Sequence, residues 1–275
     1  MNVALLGAKR ALRVMLVISL RGKGHMRHLS FYIVLAGLVL QACSSALVDD
    51  TISHSHAGNE CVILLHGIVR TSRSMHKIEE SLSERGYKVT NWSYPSRRKA
   101  ISVLADESIP RALESCDAPE IERINFVTHS MGGILIRYYL ANNTIDSLGR
   151  VVMLSPPNQG SELVDFWSEW PGFELINGPA GYELGTDSNS LPLQLGPANF
   201  DVGIITGKNT TNPLFSIMIP GDDDGKVSVE RARLEGMADF LIVPEAHSFI
   251  MRDNAVIRQT AHFLEYGRFS RLEDG

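Results

Sequence analysis

The sequence lacks a large excess of either charge. Its 26 basic and 31 acidic residues leave a formal charge of −5. No basic cluster stands out, which excludes the electrostatic footprint of a nucleic-acid binder. Internal repeats are absent, which excludes repeat architectures. Apolar runs long enough to span a bilayer comfortably are absent too. The run Leu29–Leu40 has 12 residues, against the roughly 20 that a crossing helix needs. Cysteine is scarce, with three residues at 43, 61 and 116. What remains, 44% hydrophobic and 21% charged, is the composition of an ordinary soluble globule. The 233 residues from Cys43 onward suffice for one domain with a substantial core.

Leu29–Leu40 has the length of a signal-peptide core, with Arg27 and His28 before it. The following Leu40-Gln41-Ala42-Cys43 resembles the lipobox of bacterial lipoproteins, with Gln41 a less common choice at its position. That resemblance implies a signal region over 1–42 and lipidation of Cys43. With Ser44 next instead of aspartate, it further implies an outer-membrane anchor in a bacterial cell envelope, facing the periplasm. An ordinary cleaved signal or a short membrane anchor is the other reading of the same run. Met26 heads a signal of economical length, so residues 1–25 are read as an over-extended start. Residues 43–59 read as a tether, in which His54 and His56 are solvated.

The richest stretch is Phe126–Leu135, FVTHSMGGIL. A buried apolar strand breaks at Thr128-His129-Ser130-Met131-Gly132-Gly133 and resumes with helical spacing. A strand that turns sharply into a helix with serine at the apex exposes one hydroxyl, beside free N–H groups at the helix start. The pattern is close to the nucleophile elbow Gly-x-Ser-x-Gly, with Thr128 at the first glycine position. Thr128 is tolerated there only if its side chain points away from the following helix.

Around this stretch, strand and helix alternate. Cys61–Leu65 is an apolar run of buried parallel-strand type that ends in His66-Gly67-Ile68. A helix over 74–85 stops at Gly86, a strand covers 87–94, and a helix over 101–116 is ambiguous around Pro110. Strands follow at 121–127, 150–154, 202–206 and 239–243, with a closing helix over 253–266. This rhythm is that of a parallel sheet with right-handed crossovers. Pro213–Pro220 reads either as a buried segment or as one wall of an acyl pocket.

Ser130 needs a base and an acid. In Gly221-Asp222-Asp223-Asp224-Gly225-Lys226-Val227, Asp224 is the preferred acid, with Asp222 and Asp223 as alternatives. The spacing does not fit an EF-hand calcium loop, and no metal or organic cofactor is required. His247, in the loop after the last strand, is the preferred base. His262 lies within the closing helix and reads as structural, while His66 and His129 read as shaping the site.

The order Ser130, Asp224, His247, with an early His-Gly turn, resembles the bacterial lipase and esterase branch of the α/β-hydrolase superfamily, over residues 60–269. The resemblance implies an α/β-hydrolase fold with a cap insertion around 158–200. The cap aromatics Trp167, Trp170 and Phe173 either line a substrate pocket or pack the cap on the domain. It implies an oxyanion hole from the N–H groups of Ile68 and Met131. It makes the strands of Val62 and Ile124 neighbours, so that Cys61 and Cys116 form a disulfide or remain two buried thiols. The implied activity is hydrolysis of a small ester or lipid through an acyl-enzyme. An acyltransferase or amidase with the same triad is an alternative, and a binding module on the same fold is another.

Overall fold

The computed structural model describes residues 57–271. The signal region, Cys43 and the tether histidines His54 and His56 lie outside these residues. After a short 3₁₀ turn the chain enters β1 (Glu60–Leu65), α1 (His76–Glu84), β2 (Lys88–Trp92), α2 (Ile101–Glu114), β3 (Arg123–His129) and α3 (Met131–Asn142). It continues through β4 (Leu148–Leu154) and three short helices, α4 (Glu162–Trp167), α5 (Phe173–Tyr182) and α6 (Leu191–Gln194). Then come β5 (Val202–Gly207), α7 (Pro213–Ser216), α8 (Val229–Ala232), β6 (Asp239–Val243) and α9 (Asn254–Tyr266). Among the described residues no helix is long and apolar enough to cross a membrane.

The six strands form one sheet in the order β2-β1-β3-β4-β5-β6, and every adjacent pair is parallel. Burial along β1 and β5 is continuous, as a sheet covered on both faces requires. The edge strands β2 and β6 are only partly buried. The two-residue alternation of side chains sorts the core into two layers. Ile63, Leu65, Phe126, Val151 and Met153 pack against α2 and α3 through Leu104, Ile109, Ile134 and Leu135. Val62, Leu64, Val127, Val152 and Leu154 pack against α1 and α9 through Ile78, Leu82, Val256 and Leu264. Each such side chain, removed from water, contributes roughly 1.5–3 kcal/mol. The sheet with its two helical layers is therefore the rigid base on which the loops stand.

Some local expectations shift. The helix placed over 101–116 ends at Glu114 and accommodates Pro110 without breaking. The apolar stretch Pro213–Pro220 is mostly exposed, with Leu214 and Ile217 at 66% and 80%, while Ile219 is buried and Phe215 lines a cavity. The cap segment is helical but broken, with Gly178 at φ 64° immediately before Pro179 inside α5. Gly178 is required there, since a Cβ would stand 1.8 Å from the Arg97 carbonyl oxygen. The buried Arg137 of α3 fastens the cap to the sheet layer. It donates to the carbonyls of Asn158, Pro192 and Gly196 at 2.9, 3.1 and 2.8 Å, and burial pulls its guanidinium down to about 10.

Cys61, at the start of β1, is bonded to Cys116, just past α2, with the Cα atoms 5.8 Å apart. The bridge closes a sequence separation of 55 residues. Entropy loss in the unfolded chain then predicts about 4 kcal/mol of stabilisation, and typical measured values are about 2–4. The double variant Cys61→Ala/Cys116→Ala should lose about 2–4 kcal/mol in urea unfolding. Unchanged stability would show that the bridge contributes nothing to the native protein.

Candidate active site

All strands being parallel, their carboxyl ends share one edge, and sequence-distant loops meet there. β1 and β3 are neighbours, with Leu65 paired to Thr128. The turn after β1 and the turn after β3 are therefore side by side. The sheet order reverses at β1, which opens a crevice beside that edge.

Ser130 sits at the apex between β3 and α3 with φ 53° and ψ −125°. This is a left-handed conformation that a non-glycine residue adopts at a cost of order 1–3 kcal/mol. Close packing supports it. A Cβ on Gly132 would lie 2.5 Å from the Leu65 carbonyl oxygen, so α3 approaches β1 as no larger residue would allow. Thr128 departs from the expectation that it turns away from α3. It lies on the same face of β3 as Phe126, with its Oγ1 3.4 Å from where a Cβ on Gly133 would stand. The missing bulk is at residue 133 instead of residue 128.

The structure brings Ser130, His247 and Asp224 together. Ser130 Oγ is 3.0 Å from His247 Nε2, and His247 Nδ1 is 2.8 Å from Asp224 Oδ2. Asp224 and His247 are 1% and 4% exposed. The other oxygen, Asp224 Oδ1, accepts from the N–H groups of Lys226 and Val227 at 3.0 and 2.9 Å. The backbone N–H of His247 also donates to the Asp224 carbonyl. The neighbours face elsewhere. Asp223 Oδ1 accepts from Ser216 and from the Gly225 N–H, and Asp222 is exposed. Among the described residues no group of three or more His, Cys, Asp or Glu is placed to hold a metal ion.

His66 and His129 are both buried beside this arrangement. His129 Nε2 donates to the His247 carbonyl at 3.0 Å, and its Nδ1 faces Gly67 without a partner. His66 Nδ1 donates to the Gly67 carbonyl, and its Nε2 accepts from the Tyr94 N–H. The Tyr94 ring stacks on His66 at 4.2 Å, and its hydroxyl donates to the His66 carbonyl. Tyr94 thus fixes the turn carrying Ile68, a role the sequence pattern did not reveal. Its only signal was position, two residues past a strand that pairs with β1. The N–H groups of Ile68 and Met131 have no backbone acceptor among the described residues. His262 is remote and bound to the Arg268 carbonyl.

A cavity of about 430 Å³ opens on Ser130 and His247. Leu163, Val164, Trp167, Trp170, Phe173 and Phe215 form most of its apolar wall. The cap aromatics both line the cavity and pack on one another, as Trp167 does with Phe166, Trp170 and Phe215. Arg70 and Lys226 also line it, and neither stood out in the sequence.

No protein-family model matches the sequence, and no curated protein matches it. Solved structures do match the fold. The mature form of the Bacillus licheniformis lipase BlEst2 superposes with a TM-score of 0.57 at 18% identity, over 78% of this chain and 96% of that one. The metagenomic carboxyl esterase MGS0156 gives 0.60 at 17% identity, over 77% and 76% of the two chains. The phospholipase PlaB of Legionella pneumophila gives 0.55 at 18% identity, over 74% of this chain and 56% of that one. The chain has the α/β-hydrolase fold, in a form shared with these lipases and esterases.

Burial holds His129 well below the usual histidine range, helped by the His247, Lys226 and Arg70 charges. Burial likewise lowers His66. Both are neutral in both states above pH ~6.5, where this contribution to stability is complete. Below that pH the unfolded chain takes up protons that the folded chain refuses. Stability should therefore fall as the pH drops below ~6.5, by up to about 1.4 kcal/mol per pH unit for each histidine. Urea unfolding across this range measures it, and a flat profile would contradict the assignment.

Proposed function

We propose that the chain hydrolyses carboxylic esters through an acyl-enzyme on Ser130. The observation that carries this reading is the continuous hydrogen-bonded line from Ser130 Oγ through His247 to Asp224. His247 Nε2 takes the Ser130 proton as the oxygen attacks the ester carbonyl, and the leaving alcohol receives that proton. Asp224 bonds Nδ1–H, sets the tautomer and stabilises the imidazolium. The free N–H groups of Ile68 and Met131 receive the developing oxyanion, a contribution of roughly 3–4 kcal/mol per donor in comparable sites. Water, deprotonated by His247, then attacks the acyl-enzyme and returns Ser130. The apolar cavity beside Ser130 suits the acyl or alcohol chain of a small ester or lipid.

Activity on a p-nitrophenyl ester tests the assignment. Ser130→Ala and Asp224→Asn should each lower kcat by roughly 10³-fold or more. Asp223→Asn should cost far less, since Asp223 serves the turn. Full activity in Ser130→Ala, or equal losses at Asp223 and Asp224, would overturn these roles.

The proposal extends to the N-terminal region. The lipobox-like Leu40-Gln41-Ala42-Cys43 supports a lipid on Cys43 that holds the domain at the outer membrane, facing the periplasm. Wild-type protein should partition into detergent and incorporate labelled palmitate, and Cys43→Ser should do neither. Equal partitioning and labelling of the two would refute the anchor.

A further inference from the structure

The cavity beside Ser130 is mainly apolar, and the charge on its wall is all of one sign. Arg70 and Lys226 line it, and no carboxylate does. Both stand on backbone that the site holds in place. The Arg70 N–H donates to the Gly67 carbonyl, and the Lys226 N–H donates to Asp224 Oδ1. Among the described residues neither side chain has an ion-pair partner, whereas Arg123, Arg150 and Arg231 are paired with Glu60, Asp201 and Glu162. Nearby carboxylates are bonded elsewhere, although the Asp224 charge also acts on Lys226. Glu162 binds Arg231, Asp165 binds Thr186, and Asp224 is turned to His247. Both cations line the same cavity as Ser130 and His247. Arg70 is half-buried and Lys226 exposed at this cavity, and an anion bound between the two like charges would offset their repulsion.

We infer that the site prefers esters carrying an anionic group, a phosphate or a carboxylate, which Arg70 and Lys226 bind while the apolar chain lies along Trp167, Phe173 and Phe215. The geometry excludes neither anion. Arg70 offers a planar fork of donors, and Lys226 a point charge. As a statement about ester substrates this rests on Ser130 being the nucleophile. Recognition of the anion itself does not.

The test therefore uses Ser130→Ala protein and binding. Trp167 and Trp170 line the cavity and report occupancy by fluorescence. Octyl phosphate, octanoate and octanol share one chain and differ in the head. At low salt at least one anion should bind about 10-fold tighter than octanol. Adding Arg70→Gln or Lys226→Gln should cut that ratio several-fold. Preference for octyl phosphate identifies a phosphate-bearing substrate, and preference for octanoate a carboxylate. Equal binding of all three ligands, absence of binding, or a ratio unchanged in both variants overturns the inference. A fluorophosphonate probe on the wild-type protein separates the two claims. Labelled Ser130 without anion preference leaves the hydrolase reading and removes this one, and the reverse result does the opposite.

Discussion

Loops far apart in sequence reach one another because all six strands run in the same direction. Each carboxyl end, and only that end, faces the crevice. The His66–Ile68 turn, the Ser130 apex, the Asp224 loop and the His247 loop leave β1, β3, β5 and β6 in turn. Had one of these strands run the other way, its loop would lie at the opposite edge. The helical crossovers set this direction, since a chain that crosses one face of the sheet through a helix returns as a strand parallel to the one it left.

On that base the site stores a small amount of strain. Ser130 occupies a left-handed conformation, which α3 enforces through Gly132 and its close approach to β1. Glycine recurs where two backbones nearly touch. A Cβ on Gly207 would meet the Glu245 carbonyl oxygen at 2.1 Å, so β5 and the loop carrying His247 can be close enough for Asp224 to reach it. Polar groups complete the fixation. Tyr94 and His66 hold the turn after β1, and His129 holds the carbonyl of His247. Buried polar networks of this kind are costly when incomplete and rigid when satisfied.

The cap adds what the base lacks. Its aromatic side chains give the cavity beside Ser130 an apolar wall, and Arg137 binds the cap carbonyls that hold this wall in place. The contrast inside the cavity bears on the proposed chemistry. Most of its surface is apolar, and Arg70 and Lys226 supply its positive charge.

The alternation of strand and helix and the serine apex were legible in the residues, because each depends on local pattern, whereas the order of serine, acid and histidine was read through the resemblance to α/β-hydrolases. Continuous apolar runs such as Val62–Leu65 mark parallel strands, and Ser130 beside Gly132 and Gly133 marks a sharp turn whatever surrounds it. Among three adjacent aspartates, by contrast, the sequence favours Asp224 and leaves Asp222 and Asp223 open. Only the turn closed by Gly225, Lys226 and Val227 directs Asp224 toward His247 and Asp223 toward Ser216. The direction of Thr128 depended on the strand face it shares with Phe126. The apolar stretch Pro213–Pro220 could be placed at the surface, with Phe215 in the cavity, only by its contacts with the cap. Tyr94, Arg70 and Lys226 carry no motif. Their importance comes from strand register and loop convergence, which join residues that sequence separation keeps apart.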